Sequence, residues 1–244
     1  MRIRFLNANA IKILACVLMV VDHVGFLLFP DLYFLRIIGR LSLPLFAFSL
    51  AEGCRYTRNK IAHLALLAGL AFFVQLVYYL YDGSTYMCIL VTFTFSVVCI
   101  YALQFFKAVL FSDKKVYLKI LAIFPFILAI IGTYIANYFW EIDYGFWGCM
   151  LPVFASLLDF HRVPAPTLLK NTDHLFVRIA CMSIGLVLLA FFIPYLKDIQ
   201  FYSLFAIPLL LLYNGEKGKW KLKYFFYVFY PLHLVLLQGI SYLL

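Results

Sequence analysis

The chain has 244 residues, of which 66% are hydrophobic and only 13% are charged. Water-soluble domains average about 45–50% apolar and about 25% charged residues. So few polar side chains cannot cover the surface of a water-soluble globule, and the composition therefore indicates an integral membrane protein. In such a protein the informative property is the position of the positive charges relative to the spans. The net charge of +9 therefore does not indicate nucleic acid as a partner.

Nine apolar runs follow one another along the chain. A hydrocarbon core of about 30 Å is crossed by a helix of about 17–25 residues. The first run has no small-residue cleavage site after it and is interpreted as a retained helix. The runs cover residues 11–29, 34–52, 62–81, 86–106, 117–139, 144–160, 177–195, 200–214 and 224–244, the eighth being short. The sequence predicts an all-α polytopic transmembrane helix bundle of about nine spans, forming a single domain over residues 1–244.

Basic residues collect in alternate loops, which predicts the orientation of the bundle. One set of loops holds Arg2, Arg4, Arg55, Arg58, Lys60, Lys107, Lys114, Lys115, Lys119, Arg162, Lys170, Arg178, Lys217, Lys219, Lys221 and Lys223. The other set holds Asp31, Asp82, Glu141, Asp143 and Asp198, with Lys197 as its lysine. Because cytoplasmic loops carry the excess of Lys and Arg, the N-terminus is predicted to be cytoplasmic and the C-terminus to lie outside.

Asp22 and His23 interrupt the first apolar run at membrane depth. A charged residue at a helix centre costs about 2.5–3.5 kcal/mol on insertion scales, so such residues generally serve a function. Neighbours on a helix point about 100° apart, which sends the carboxylate to a partner on another helix. We interpret His23 as a general base and Asp22 as the group that positions the site or pairs with an arginine. A purely structural hydrogen-bonded pair is the alternative.

Arg36 and Arg40 lie four residues apart in the second run and share one helix face. Asp22 is the predicted partner of one of them, since only a short turn joins the two runs. They form either a cationic wall for an anion or oxyanion, or a buried structural salt bridge.

His233 follows Pro231 in the ninth run. Proline frees backbone groups and often kinks a membrane helix, so this histidine is a candidate site residue or a structural one. Asp143 is expected to cap the sixth helix or to line the outer vestibule. The six cysteines are scattered without metal-ligand spacing, and no metal site is predicted.

Several ordered segments of the chain resemble the TraX family. They are residues 14–29, 35–48, 51–59, 143–145 and 230–234, and the first sixty residues are the most specific. The resemblance implies an acetyl-CoA-dependent membrane acetyltransferase, grouped with transmembrane acyltransferases that use a histidine within the membrane. By position His23 is the residue carried over, with His233 as a second participant. The family's known pilin substrate is not implied for this chain.

The resemblance also implies a bacterial cytoplasmic (inner) membrane location, with membrane lipid and cytoplasmic acetyl-CoA as partners. The acceptor is an amine or hydroxyl in or across the membrane: a protein N-terminus, a glycan, a lipid or a small amine. His23 would deprotonate the acceptor or carry the acetyl group, while Arg36 or Arg40 stabilises the oxyanion.

A basic cluster follows the second run and is assigned to the phosphates of the donor. The predicted donor-binding residues are Glu52, Arg55, Tyr56, Arg58 and Lys60. A basic loop here is also what the positive-inside rule requires. Two other functions stay open: a proton-coupled transporter, against which the chain shows no internal repeat, and a non-catalytic membrane assembly factor.

Overall fold

The structure, a computed structural model, describes residues 4–193, 197–219 and 222–243. Within them the chain is α-helical and contains no named strand; two isolated bridges join Leu6 to Tyr213 and Met87 to Ile142. The helices are α1 (Ala8–Leu27), α2 (Tyr33–Gly39), α3 (Ser42–Tyr56), α4 (Lys60–Asp82), α5 (Ile89–Leu110), α6 (Val116–Leu121), α7 (Phe124–Phe139), α8 (Gly145–Ser156), α9 (Thr167–Lys170), α10 (Leu175–Phe192), α11 (Lys197–Gln200), a 3-10 helix (Phe201–Phe205), α12 (Ala206–Leu211) and α13 (Lys223–Ser241). The predicted all-α class is confirmed.

Six helical segments of the described chain are long and apolar enough to cross a membrane. They are Ala8–Leu27, Tyr33–Tyr56, Lys60–Tyr81, Ile89–Leu110, Val116–Phe139 and Leu175–Phe192. The predicted sixth, eighth and ninth runs correspond to the shorter apolar helices Gly145–Ser156, Asp198–Leu211 and Phe225–Ser241. The architecture is that of a membrane protein.

The predicted second span is two helices, because α2 ends at Gly39 and α3 begins at Ser42. Pro44 lies in the first turn of α3 and has no N–H to donate to the carbonyl of Arg40. A proline is readily accommodated in the first turn of a helix, where its missing N–H would have no partner within that helix, so α3 begins just before Pro44.

The described chain packs into two compact units. One combines Met1–Ser49 with Ala190–Leu244, and the other is Leu50–Leu189. In the first unit, α1 packs along α2 and against α13, and α2 also contacts α11 and the 3-10 helix.

Two glycines let α1 and α2 approach closely. A Cβ built on Gly25 would lie 2.7 Å from the Cβ of Leu35, and one built on Gly39 would overlap the side chain of Asp22. This close contact brings the polar residues of α1 against those of α2 and the residue that follows it.

In the second unit, α5 packs against α4, α7 and α8. The fully buried Ser96 of α5 donates to the backbone oxygen of Cys149 in α8 at 2.8 Å. The expected cap at Asp143 is wrong, since α8 begins at Gly145 and Tyr144, with a φ of 59°, occupies the N-cap position. Asp143 instead accepts a hydrogen bond of 2.6 Å from the hydroxyl of Tyr86.

We predict that Gly39→Ala destabilises the protein by about 1–3 kcal/mol, because the added methyl overpacks against Asp22. The matched control is Gly69→Ala in α4, where an added Cβ meets nothing within 4 Å. The measurement is unfolding of the purified, detergent-solubilised protein. Equal stability of the two variants would contradict the close packing of α1 on α2.

Candidate functional site

Asp22 is the centre of a buried ion cluster in the first unit. It is 7% exposed, and Arg40 is 3% exposed. Nη2 of Arg40 donates to both carboxylate oxygens of Asp22. Nη1 of Arg36 donates to Oδ2 at 3.2 Å and to the backbone oxygen of Asp22 at 3.4 Å, and its guanidinium lies 4.8 Å from the ring centroid of Phe26. The carboxylate therefore pairs with both predicted arginines.

His23, the next residue of α1, forms its hydrogen bond within its own helix. Its Nδ1 lies 2.8 Å from the backbone oxygen of Met19. A carbonyl oxygen can only accept, so Nδ1 carries the proton and donates it. In the neutral imidazole, Nε2 then carries the lone pair of a base.

His233 repeats this arrangement in α13. Its Nδ1 donates to the backbone oxygen of Phe229 at 3.0 Å, which again leaves the lone pair on Nε2. The side chain is 5% exposed, and Nε2 is buried with no hydrogen-bond partner in the described part of the chain. The ring of Phe229 stacks on the imidazole at 5.3 Å with an interplanar angle of 9°.

The two imidazoles are in contact. Their ring centroids lie 5.0 Å apart with an interplanar angle of 81°, an edge-to-face arrangement. The structure thus brings together the predicted histidines of the first and last runs. The result is two bases in contact, one of which follows directly after Asp22 of the ion cluster in α1.

The predicted donor-binding residues lie in the second unit, where two of them belong to ion pairs. Glu52 forms a buried ion pair with Arg178, whose Nε donates to the backbone oxygen of Ala155 at 3.2 Å. Nη1 of Arg55 lies 3.1 Å from Asp159 and 2.5 Å from Asp173. These three ion pairs tie α3 to the later part of this unit.

Tyr56 makes an edge-to-face contact with the ring of His161, with centroids 5.1 Å apart. Arg58 is exposed. Lys107, which the sequence analysis placed among the loop cations, is buried and donates to the backbone oxygens of Ser156 at 2.9 Å and of Asp159 at 3.0 Å.

A partly open cavity adjoins these ion pairs, and Arg55, Lys60, Asp159 and Arg162 contribute to its lining. Nζ of Lys60 lies 5.3 Å from the ring centroid of Tyr101. Arg162 donates to the backbone oxygens of Thr57 at 2.7 Å and Tyr56 at 2.8 Å. Across residues 4–193, 197–219 and 222–243, neither Lys60 nor Arg162 forms an ion pair with a carboxylate.

The ion-pair partners of Glu52 and Arg55 were not predicted from the sequence. Asp159 and Asp173 lie in a region that the charge alternation assigned to the basic side of the bundle. Acidic residues among basic ones were the signal from which these partners could have been predicted. Arg178 was counted among loop cations, although it lies inside α10. Among the described residues, no group of three His, Cys, Asp or Glu side chains is placed to hold a metal ion.

We predict that Asp22→Ala destabilises the protein by about 3–5 kcal/mol, since it removes the carboxylate from the buried guanidinium of Arg40 and the half-buried one of Arg36. The control, Asp31→Ala, removes an exposed carboxylate and should leave stability unchanged within about 0.5 kcal/mol.

In the corresponding double-mutant cycle, Asp22→Ala combined with Arg40→Ala should cost less than the two single changes added together. Additive losses would show that the two side chains do not stabilise each other.

The family described as TraX protein matches residues 7–241. Among curated proteins, an uncharacterised protein of Rickettsia prowazekii (strain Madrid E) is 47% identical over 40 residues. That segment spans 16% of this chain and 16% of the relative. No solved structure gives a significant match. Because the family match covers nearly the whole chain, the protein belongs to the TraX family.

Proposed function

We propose that the protein is a membrane-embedded acetyltransferase that moves an acetyl group from cytoplasmic acetyl-CoA to an amine or hydroxyl acceptor in or across the membrane. Membership of the TraX family supports the reaction class. The observation that carries the proposal is the contact between His23 and His233, each with Nδ1–H bound to a carbonyl and Nε2 left as a base.

The reaction requires a base that takes the acceptor's proton and a positive group that stabilises the negative charge on the carbonyl oxygen. Nε2 of His23 takes the proton from the acceptor as its oxygen or nitrogen adds to the thioester carbonyl. Arg36 or Arg40 stabilises the oxyanion that forms, held in place by Asp22. The carbon–sulfur bond then breaks, and the imidazolium returns the proton to the departing thiolate, which gives the acetylated acceptor and CoA. His233 orients His23 through the ring contact and offers a second base.

The donor's phosphates are proposed to bind at the cluster in the second unit. Lys60 is the first residue of α4, where the positive end of the helix dipole favours an anion. Lys60 and Arg162 both line the cavity and have no carboxylate partner in the described ranges. Arg58 adds an exposed positive charge. Glu52, Arg55 and Tyr56 contribute indirectly, because their ion pairs and ring contact hold the residues around the cavity in position.

We also propose nine spans with a cytoplasmic N-terminus, an external C-terminus and a location in the bacterial inner membrane. The support is the charge alternation between loops together with the six helices of spanning length. Each of the three shorter helices would then complete a span with the residues beside it.

We predict that His23→Asn lowers acetyl transfer by about 10²–10⁴-fold, because the general base is lost, and that His233→Asn lowers it by less, because His23 keeps its base but loses the ring that orients it. Asparagine keeps a donor for the carbonyl four residues earlier, as Asn137 does for the backbone oxygen of Thr133 at 2.8 Å. The substitution thus removes Nε2 and retains the local bond. The readout is transfer of radiolabelled acetyl from acetyl-CoA in membrane vesicles, with His174→Asn at an exposed histidine as the control.

Full transfer by His23→Asn would overturn its assignment as the base. If the purified protein neither binds acetyl-CoA in a thermal-shift assay nor releases CoA from it, the enzyme proposal is wrong. Proton-coupled flux in liposomes without an acyl donor would favour a transporter.

We predict that Lys60→Gln raises the KM for acetyl-CoA by about tenfold with kcat unchanged, as expected when a charge-assisted contact to a non-reacting phosphate is lost. Lys115→Gln, at an exposed lysine outside the cavity, is the matched control and should match the wild type. A fall in kcat with unchanged KM would contradict the phosphate role.

A further inference from the structure

The cavity in the second unit is small and partly open. Its walls come from α3, the start of α4, α5 and the loop after α8. Its volume is about 70 Å³, whereas one buried water needs about 10–15 Å³, so the cavity has room for about five atoms of that size. One phosphate group has this size, and a whole nucleotide is far too large to enter.

Two cations of the cavity lining are positioned by groups other than carboxylates. Arg162 donates from Nη1 to the backbone oxygen of Thr57 at 2.7 Å and from Nη2 to that of Tyr56 at 2.8 Å, which fixes its guanidinium at the end of α3. Lys60 is the first residue of α4, and its Nζ lies 5.3 Å from the ring centroid of Tyr101. Neither cation is paired with an acidic residue in the described part of the chain, so both can bind an anion.

The carboxylates beside the cavity are engaged by other groups. Asp159 accepts from Arg55 at 3.1 Å and from the backbone N–H of His161 at 3.0 Å. Asp173 accepts from Arg55 and, at 3.2 Å, from the backbone N–H of Phe160. The charged groups linked by these contacts or lining the cavity are Arg55, Lys60, Lys107, Asp159, Arg162 and Asp173. They carry four positive and two negative charges, a formal sum of +2, which favours an anion with two negative charges.

Coenzyme A carries two kinds of phosphate. Its diphosphate lies within the chain that joins adenosine to pantetheine, so both of its ends continue into larger groups. Its 3′-phosphate is a monoester that projects from the ribose, and phosphate monoesters carry a charge of about −1.5 to −2 at pH 7. The size of the cavity and the charge around it match this terminal group.

We propose that this cavity binds the 3′-phosphate of the donor, and that the protein thereby distinguishes CoA from dephospho-CoA, which lacks this group. The inference rests on the proposed use of acetyl-CoA and deepens it, since it identifies the group that enters the cavity. Lys60 and Arg162 bind the phosphate oxygens by charge-assisted hydrogen bonds. Arg55 holds the loop that contains Asp159 against α3, and the adenine and the diphosphate lie outside the cavity.

The test is a binding cycle with CoA and dephospho-CoA, measured by isothermal titration calorimetry on the purified protein in phosphatidylcholine nanodiscs. We expect the wild type to bind CoA about 100-fold more tightly than dephospho-CoA, because each of two charge-assisted contacts contributes about tenfold. Lys60→Gln should weaken the binding of CoA about tenfold and leave the binding of dephospho-CoA unchanged. The matched control, Lys115→Gln at an exposed lysine outside the cavity, should match the wild type for both ligands.

A second variant, Arg162→Gln, tests the other cation. It should also weaken the binding of CoA about tenfold with dephospho-CoA unaffected. Because this change also removes hydrogen bonds to Thr57 and Tyr56, its melting temperature is measured beside that of Lys60→Gln, which removes no hydrogen bond or ion pair within the described chain. In assays of acetyl transfer, acetyl-dephospho-CoA should differ from acetyl-CoA in KM and not in kcat, since the 3′-phosphate does not react.

Equal affinity of the wild type for CoA and dephospho-CoA would overturn the inference. So would an equal loss of affinity for both ligands in Lys60→Gln, because the lysine would then contact a part of the donor that the two ligands share. In both cases CoA still binds, and the acetyltransferase proposal survives. Binding of neither ligand by the wild type is the distinct result that removes the proposed function itself.

Discussion

The pairing of Asp22 with Arg36 and Arg40 is the interaction on which the first unit depends. A carboxylate within a membrane helix has no water to solvate it, so it must find its counter-charges on another helix. Gly25 and Gly39 permit that approach, since a side chain at either position would meet α2 or Asp22. Once Asp22 faces the arginines, helix geometry turns His23 about 100° away from them. In that direction the imidazole contacts His233.

The backbone of each helix also selects the tautomer of its histidine. Both Nδ1 atoms donate to the carbonyl four residues earlier, Met19 for His23 and Phe229 for His233. That bond fixes the ring and assigns the lone pair to Nε2, as an orienting carbonyl commonly does for functional histidines. The ion cluster fixes the position of the two bases, and the helix carbonyls determine which nitrogen of each imidazole carries the proton. Each part of the site therefore depends on the packing of α1 against its neighbours.

Much of this could be predicted from the sequence, because apolar runs and loop charges are local signals. The cost of charge in lipid singled out Asp22 and the arginines, and the short turn between runs identified them as partners. His233 was predicted as a candidate site residue because it follows Pro231, which can kink the helix. The break between α2 and α3 was missed although Pro44 was visible, since hydropathy does not register a lost backbone donor. Asp159, Asp173 and Arg178 were missed as partners because pairs between distant segments leave no periodic trace.

The central claim is that the His23–His233 pair performs acetyl transfer, and a density map of the protein with bound acetyl-CoA tests it most directly. The account predicts that the thioester carbonyl carbon lies within about 6 Å of Nε2 of His23, which leaves room for the acceptor atom between the base and the carbonyl. A donor bound with its thioester remote from both imidazoles would contradict it.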